Sequence, residues 1–228
     1  MQRALRAMSS PMYWIVTTIL VVVALVALFA YAPLDPAMGP PQKILYVHLP
    51  AALNTFLGAL VIAAAGVAFL WSRKARWDAL AAIAAYITVA LCSLVLLTGM
   101  IWGHYAWGRW WTWSPSLSFS LVLWLLYVGY IVLRRRLGEN ERRATVCAVY
   151  GIIAALDVPL VYLSVKLIPD VHPPSIELTG PMRTTLLVWT AAGIMITVGL
   201  IATMAQHRNL HASADQEEQR RDHMRASA

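Results

Sequence analysis

Two histidines flank a tryptophan-rich segment of the chain, and a neutral imidazole is among the commonest metal ligands in proteins. His48 lies in the sequence YVHLPAA, and His172 lies in DVHPPSIEL. Between them, the sequence WGHYAWGRWWTW, from Trp102 to Trp113, holds five of the ten tryptophans of the chain. Two imidazoles beside such an apolar aromatic surface are suited to clamp a flat macrocycle with a metal at its centre, as axial ligands do in haem proteins.

The second account of the tryptophans is an aromatic belt, because indole rings settle at the surface of a membrane. That account suits Trp14, Trp71 and Trp77. A belt would spread its residues over all the helix ends, whereas here five tryptophans stand on one segment. Gly103 and Gly108 among them favour a backbone shaped for close approach to a ligand. Composition alone leaves the belt and the ligand surface as open alternatives.

The elements that must carry these residues are six long apolar runs. Of the 228 residues, 60% are hydrophobic and only 13% are charged, which is typical of a membrane protein. A helix needs about twenty apolar residues to cross a hydrocarbon core. The runs are Trp14 to Ala32, Pro50 to Trp71, Leu80 to Met100, Leu117 to Leu133, Ala144 to Val165 and Thr184 to Ala205. The sequence predicts an all-α, polytopic membrane protein with six transmembrane helices in one integral membrane domain, residues 1–228.

The basic residues alternate from loop to loop. Fourteen stand on one set of segments: Arg3, Arg6, Arg73, Lys74, Arg76, Arg134, Arg135, Arg136, Arg142, Arg143, Arg208, Arg220, Arg221 and Arg225. Four stand on the other set: Lys43, Arg109, Lys166 and Arg183. Because short basic loops stay in the cytoplasm, we predict that both termini are cytoplasmic and that residues 206–228 form a polar cytoplasmic tail. This clustering explains the net charge of +7 without a nucleic acid partner.

The sequence lacks the residue patterns of several common functional sites. Cys92 and Cys147 form no CxxC or CxxCH pattern, which argues against a structural zinc, thiol redox work and covalent haem attachment. No P-loop pattern is present. The first apolar run is longer than the core of a signal peptide, so we predict that it is retained as a span.

Three external segments follow from this orientation: Pro33 to Leu49, Ile101 to Ser116 and Leu167 to Arg183. His48 stands just before Pro50, which is suited to the first turn of the second span. His172 is followed by two prolines, which hold the chain out of a helix. Both imidazoles are therefore expected on the same side as the tryptophans. His104 is a third candidate ligand, or equally a polar residue that faces water.

Two further polar positions have local interpretations. Ser114 in WSPSL is expected to be the N-cap of the fourth span, accepting a backbone N–H, with Pro115 at the first helical position. Asp157 lies about midway along the fifth span, where a carboxyl group is expected to face the bundle interior with a partner, and Asn54 is one candidate. Pro159 is expected to kink the helix nearby.

The residues described above match a known family. The chain resembles CcmC, the haem-handling membrane protein of bacterial cytochrome c maturation. The family pattern is WG, three residues, WG, two residues and WxWD, and it corresponds here to Trp102, Gly103, Trp107, Gly108, Trp111 and Trp113. The resemblance extends to KILYVHLPAA, to LDVPLVYLSVK, to the histidine before the last span and to the six spans.

The resemblance implies a haem-binding protein of the bacterial inner membrane, not an enzyme, that holds non-covalent haem b at its periplasmic face. His48 and His172 are the implied axial ligands of the haem iron. The expected haem-binding set is His48, His172, Trp102, Gly103, Trp107, Gly108, Trp110, Trp111, Trp113 and Ser114. The implied partners are the haem chaperone CcmE, the small protein CcmD and the CcmAB subunits of an ABC transporter.

The chain departs from the family pattern at one place. The Asp that ends WxWD in the family is Ser114 here, and the Arg usually found two residues later is Ser116. If the acidic group orients haem or contacts the chaperone in relatives, that role is altered here or supplied by Asp170 or Glu177. Restoring Asp at position 114 is then expected to change haem transfer without abolishing haem binding.

Two other functional classes compete with haem presentation. A b-type cytochrome would hold haem between histidines inside the spans, and the six predicted spans contain no histidine. A proton- or ion-coupled transporter would use Asp157 as its coupling site. Such a transporter is expected to repeat a broken or polar helix in its other half, and the sequence shows no internal repeat.

Overall fold

The computed structural model describes residues 2–36, 38–138, 141–168 and 177–226, and the regular structure in these ranges is entirely helical. His172 and Asp170 fall outside the described residues. The α-helices are α1 (Gln2–Met8), α2 (Pro11–Val26), α3 (Leu45–Ser72), α4 (Ala75–Trp107), α5 (Pro115–Arg136), α6 (Glu141–Ala154), α7 (Asp157–Leu167) and α8 (Gly180–Ala226). A π-helical turn, Ala27–Tyr31, continues α2, and a 3₁₀ turn, Pro40–Ile44, leads into α3.

Within the described residues, six helical stretches are long and apolar enough to cross a membrane, which confirms the predicted number. They are Pro11–Tyr31, Pro40–Ser72, Ala75–Trp107, Pro115–Arg136, Glu141–Leu167 and Gly180–Arg208. Several extend well beyond the apolar runs, because a helix continues into the polar boundary wherever its residues permit. The predicted polar tail is an uninterrupted continuation of α8 as far as Ala226.

Prolines and serines mark two of the helix starts. Ser10 is the N-cap of α2, and its hydroxyl accepts a hydrogen bond from the Tyr13 N–H at 3.2 Å. Pro11 and Pro115 occupy the first helical positions of α2 and α5, where a missing N–H costs nothing. Ser114 is the N-cap of α5 as predicted, but its side chain makes no capping hydrogen bond.

The centre of the bundle is built around α3, which packs against α4, α6 and α8. Small residues at these contacts allow helix backbones to approach closely, as is usual in membranes. A Cβ atom at Gly66 would lie 2.9 Å from the Ala148 carbonyl oxygen of α6. Buried hydrophobic residues of α3, α4, α5, α6 and α7, among them Ile62 and Tyr127, form one core cluster. Close packing of this kind holds the helices that line the site.

The fifth span is broken in the middle, which confirms the predicted kink. Helix α6 ends at Ala154, and α7 begins at Asp157. Pro159 has no N–H to donate to the carbonyl of Ala155, which instead accepts from the Val158 N–H at 3.2 Å. The second half of the span, α7, is therefore a separate helix.

A buried ion pair joins three helices at the end of the bundle where α4 begins. Arg134 of α5 donates two hydrogen bonds to Asp78 of α4, at 2.6 and 2.5 Å. Arg143 of α6 lies 3.7 Å from the same carboxylate. The side chains of Asp78 and Arg134 are both buried. Nothing in the sequence pattern pairs residues that are 56 positions apart, so only the fold reveals this cluster.

Candidate functional site

A cavity of about 430 Å³ lies at the end of the bundle where α4 ends and α5 begins. Its volume falls within the range of small-molecule sites, and its wall is mostly apolar. Helices α3, α4, α5 and α7 form most of the wall. Each of the three segments predicted as external also contributes a residue, for example Met38, Trp111 and Leu178. The three connecting segments therefore converge on one cavity.

His48 lines this cavity from the first turn of α3. The prediction that Pro50 starts the helix is wrong, because Pro50 lies inside α3. The 3₁₀ turn Pro40–Ile44 precedes Pro50 and continues directly into α3, so the α-helix begins at Leu45. His48 is thus held on a helix and not on a loop. The second membrane-spanning stretch, Pro40–Ser72, therefore contains a histidine. The prediction that no span contains a histidine, which was held against a b-type cytochrome, is wrong at this position.

The ring of His48 rests against α4. Its Nδ1 atom lies 2.9 Å from the Thr98 hydroxyl oxygen. Beside it, a Cβ atom at Gly99 would lie 3.2 Å from His48 Cε1, which is tighter than most contacts of a Cβ atom. Thr98 and Gly99 therefore form a seat for the imidazole ring, and sequence inspection did not single out either residue.

The first half of the tryptophan segment is helical, whereas the sequence predicted that it belongs to an external connecting segment. Trp102, Gly103 and Trp107 belong to the last turns of α4. The helix ends at Gly108, whose φ of 70° is the left-handed conformation that glycine adopts readily. The N–H of Gly108 donates to the His104 carbonyl at 2.9 Å. The two glycines of the motif thus have helical roles, Gly108 at the helix end and Gly103 within the last turns.

Gly103 makes room for a tryptophan ring. A Cβ atom there would lie 3.3 Å from the Trp107 ring, which folds back over its own helix. Trp107 then meets Trp102 edge to face, with ring centroids 5.1 Å apart. Both of these rings line the cavity. The glycine therefore permits an aromatic pair at the cavity wall.

The five tryptophans divide between the cavity and the outer surface. Trp102, Trp107 and Trp111 line the cavity. Trp110 is 54% exposed and Trp113 is 79% exposed, and neither lines it. Trp111 and Trp113 meet at an interplanar angle of 80°. The rings therefore do not form one flat surface, because neighbouring indoles pack edge to face.

His104 has a different environment from His48. It is exposed at the end of α4 and stacks on Trp110, with ring centroids 4.2 Å apart and an interplanar angle of 5°. It is not among the residues that line the cavity. The structure therefore places this third candidate beside Trp110 and outside the cavity.

Two polar groups at the cavity wall have a role that the sequence did not indicate, the N–H of Trp111 and the ammonium group of Lys166. The indole nitrogen of Trp111 is buried and has no hydrogen-bond partner within the described residues. Lys166, near the end of α7, is the one charged residue among the described residues of the wall. An N–H donor and an ammonium group suit a ligand that carries carboxylates.

The position of the family Asp lies just outside the cavity wall. Ser114 does not line the cavity, whereas Ser116 is buried and does. The two hydroxyl oxygens are 3.5 Å apart. Glu177, one of the two residues proposed to replace the missing charge, is exposed and does not line the cavity. The other, Asp170, lies outside the described residues.

Asp157 is buried at the break between α6 and α7, with 6% of its surface exposed. Its Oδ2 atom has no hydrogen-bond partner among the described residues. The proposed partner Asn54 instead donates to the Pro50 carbonyl at 2.9 Å, on its own helix. Asp157 does not line the cavity. The described residues also contain no cluster of three or more histidine, cysteine and acidic side chains suited to a metal ion.

Comparison with known proteins gives one consistent result. A family model described as "Heme exporter protein C" matches residues 2–225. The heme exporter protein C of Escherichia coli strain K12 is 30% identical over 186 residues, which cover 80% of this chain and 75% of that protein. The protein of the same name from Haemophilus influenzae is 33% identical over 159 residues, 69% of this chain and 64% of that protein. That from Bradyrhizobium diazoefficiens is 36% identical over 148 residues, 64% of this chain and 56% of that protein.

Proposed function

The chain belongs to the heme exporter protein C family, and on this premise we propose that its cavity holds haem at the external face of the membrane for delivery to a haem chaperone. Membership of the family gives the chain a role in haem export and cytochrome c maturation.

One observation supports the place of binding above all others. The cavity brings the imidazole of His48 together with three indole rings and one ammonium group in an otherwise mostly apolar wall. Haem is a flat apolar macrocycle with a metal that accepts imidazole nitrogen and two propionates that carry negative charge. Each part of the molecule therefore has a matching group on this wall.

The residues have separate proposed roles. The imidazole of His48 would hold the haem iron, and His172 would do so as well by the family resemblance. Trp102, Trp107 and Trp111 exclude water and cover the porphyrin. Lys166 and the Trp111 N–H are placed to receive the propionates, because both are donors on the wall. Haem b is held without a covalent bond.

The distribution of basic residues supports the proposed face of the membrane, and the family resemblance supports the proposed partners. Fourteen basic residues on alternate segments favour a cytoplasmic location for the opposite end of the bundle. The cavity would then open toward the periplasm. We propose that haem passes from there to the chaperone CcmE, with CcmD and the CcmAB subunits as further partners.

Absorbance of the purified protein tests the ligand assignment. We expect His48→Ala and His172→Ala each to lower the haem content per chain at least tenfold, because each removes an axial ligand. His207→Ala is the matched control, since this exposed histidine lies far along α8. His104→Ala tests the third candidate and is expected to retain haem. A full haem content in His48→Ala would contradict the assignment.

Labelling of single cysteines tests the face. Cys92 and Cys147 are both buried, so they give a low background. We expect an impermeant maleimide to label Trp113→Cys in intact spheroplasts, and to label Arg73→Cys only after the membrane is opened. The reverse pattern would place the cavity at the cytoplasmic face.

A second candidate function is favoured by Asp157, whose Oδ2 atom is buried and has no hydrogen-bond partner in the part of the chain that the structure describes. A buried carboxyl group of this kind can carry a coupled proton or ion. Asp157→Asn separates the two functions. Haem presentation predicts an unchanged haem content, because Asp157 does not line the cavity. If Asp157 couples transport to protons, the uptake of a small-molecule substrate into proteoliposomes, driven by a proton gradient, is expected to stop in the variant.

A further inference from the structure

We propose that Thr98 is a positioning residue that fixes the tautomer of His48 and so directs the Nε2 lone pair to the haem iron. The proposal rests on the haem-binding function proposed above. It names a residue on α4 that acts through His48 without contacting the haem itself. Neither the family pattern nor the sequence reading includes Thr98 in the site.

The first step is the direction of the hydrogen bond. The Thr98 hydroxyl oxygen lies 2.7 Å from the Leu94 carbonyl oxygen, one turn earlier in α4. A carbonyl can only accept, so a contact this short requires the hydroxyl hydrogen between the two oxygens. Threonine in a helix commonly donates to this carbonyl. The single hydrogen of the hydroxyl is therefore already committed.

The second step concerns the imidazole. His48 Nδ1 lies 2.9 Å from the same Thr98 oxygen. With the hydroxyl hydrogen directed to Leu94, the hydrogen in this contact belongs to Nδ1. A neutral imidazole carries one hydrogen and one lone pair on its ring nitrogens. The lone pair that binds a metal is then on Nε2.

The third step is the orientation of the ring. A metal-binding histidine is usually held by a hydrogen bond from its other ring N–H, and this bond also makes the ligand nitrogen more basic. Here the acceptor stands on a different helix from the histidine, so the packing of α3 against α4 sets the geometry. Gly99 leaves space for the ring, because a side chain there would meet Cε1.

Haem titration of purified, haem-free variants tests the proposal. Thr98→Val keeps the shape of the side chain and removes the acceptor, and we expect the haem dissociation constant to rise about tenfold. Thr98→Ser restores the hydroxyl and is expected to restore affinity. Thr190→Val is the control, because Thr190 makes the same bond to its own helix, at 2.8 Å to the Leu186 carbonyl, away from the cavity.

Two readouts separate positioning from a general loss of structure. In a His48→Ala background, Thr98→Val is expected to have no further effect on haem affinity, because its action passes through the imidazole. In the haem-free protein with ¹⁵N-labelled histidine, we expect the His48 ring to be protonated at Nδ1, and this preference to weaken in Thr98→Val and not in Thr98→Ser.

The outcomes distinguish this proposal from the function on which it rests. If His48→Ala loses haem while Thr98→Val keeps the wild-type affinity, the positioning role is wrong and haem binding by His48 stands. If His48→Ala retains haem, ligation by His48 is wrong, and the ¹⁵N spectra still decide the tautomer. A His48 ring protonated at Nε2 in the haem-free wild-type protein would overturn the proposal.

Discussion

Helix α4 reaches two very different environments at its ends. In its first turn, Asp78 is buried and doubly hydrogen bonded to Arg134, with Arg143 nearby. In its last turns, Trp102 and Trp107 line a mostly apolar cavity beside His48. The helix has 33 residues and is about 50 Å long, so the two ends are separated by the full thickness of a membrane.

The difference shows how one helix can be both an anchor and part of a binding site. Breaking a buried ion pair leaves an uncompensated charge, so the Asp78 end resists separation of α4, α5 and α6. A cavity has the opposite character, because its wall lacks packing partners and contributes less to stability. The ion pair at the Asp78 end therefore holds α4, α5 and α6 together, and the cavity at the other end of α4 keeps its geometry.

The largest expected effect breaks the anchor. Asp78→Ala leaves the Arg134 guanidinium buried without its partner, and we expect the free energy of unfolding to fall by about 3–5 kcal/mol. Thermal unfolding in detergent measures the loss. Glu141→Ala is the control, because its pair with Arg73 spans 3.4 Å between side chains that are 71% and 53% exposed. Such pairs contribute about 0–1 kcal/mol. Equal melting temperatures for the two variants would contradict the anchoring role.

The next effect concerns the two groups of tryptophans. Trp107→Ala removes a ring from the cavity wall, and we expect haem to bind about tenfold more weakly, or about 1.4 kcal/mol. Trp113→Ala removes an exposed ring and is expected to bind haem as the wild-type protein does. Haem titration compares the two. The division of the tryptophans by exposure would be wrong if the exposed ring mattered more.

A smaller effect is expected at the seat of His48. Gly99→Ala places a methyl group 3.2 Å from Cε1 and forces the ring to shift, at a cost of about 1 kcal/mol. Haem affinity should fall about fivefold. Gly138→Ala is the control, because a Cβ atom there meets nothing within 4 Å. A normal affinity in Gly99→Ala would show that the seat tolerates a shifted ring.

The smallest effect tests the departure from the family pattern. Ser114→Asp places a carboxylate at an N-cap whose serine makes no capping bond, and we expect a gain of about 0.5 kcal/mol in unfolding free energy. Haem affinity should stay within about twofold, because position 114 does not line the cavity. Haem transfer to the chaperone is expected to change, and a transfer assay with purified chaperone measures it. Unchanged transfer would count against a role for this charge.

The number and approximate position of the spans followed from the sequence because about twenty apolar residues suffice to define each one. The family followed from the spacing of the tryptophans and glycines, and the family model confirms it. The kink at Pro159 also followed, because a missing N–H acts locally. The orientation of the termini and the ligation of haem remain predictions.

The errors occurred where a tertiary contact or a neighbouring turn outweighed a local signal. Pro50 was taken as a helix start, and a preceding 3₁₀ turn moved that start to Leu45. The segment from Trp102 was taken as a connection, and α4 continues through Trp107. Asn54 was a candidate partner of Asp157, and it bonds within its own helix.

The sequence by itself determined six apolar helices, an alternating basic charge and a tryptophan motif, because each depends on residues close together in the chain. Only the tertiary structure decided that Thr98 contacts His48, that three of the five tryptophans line a common cavity, and that Asp78 pairs with Arg134. These contacts join residues on different helices. Their geometry depends on how the helix faces pack together, which no local pattern specifies.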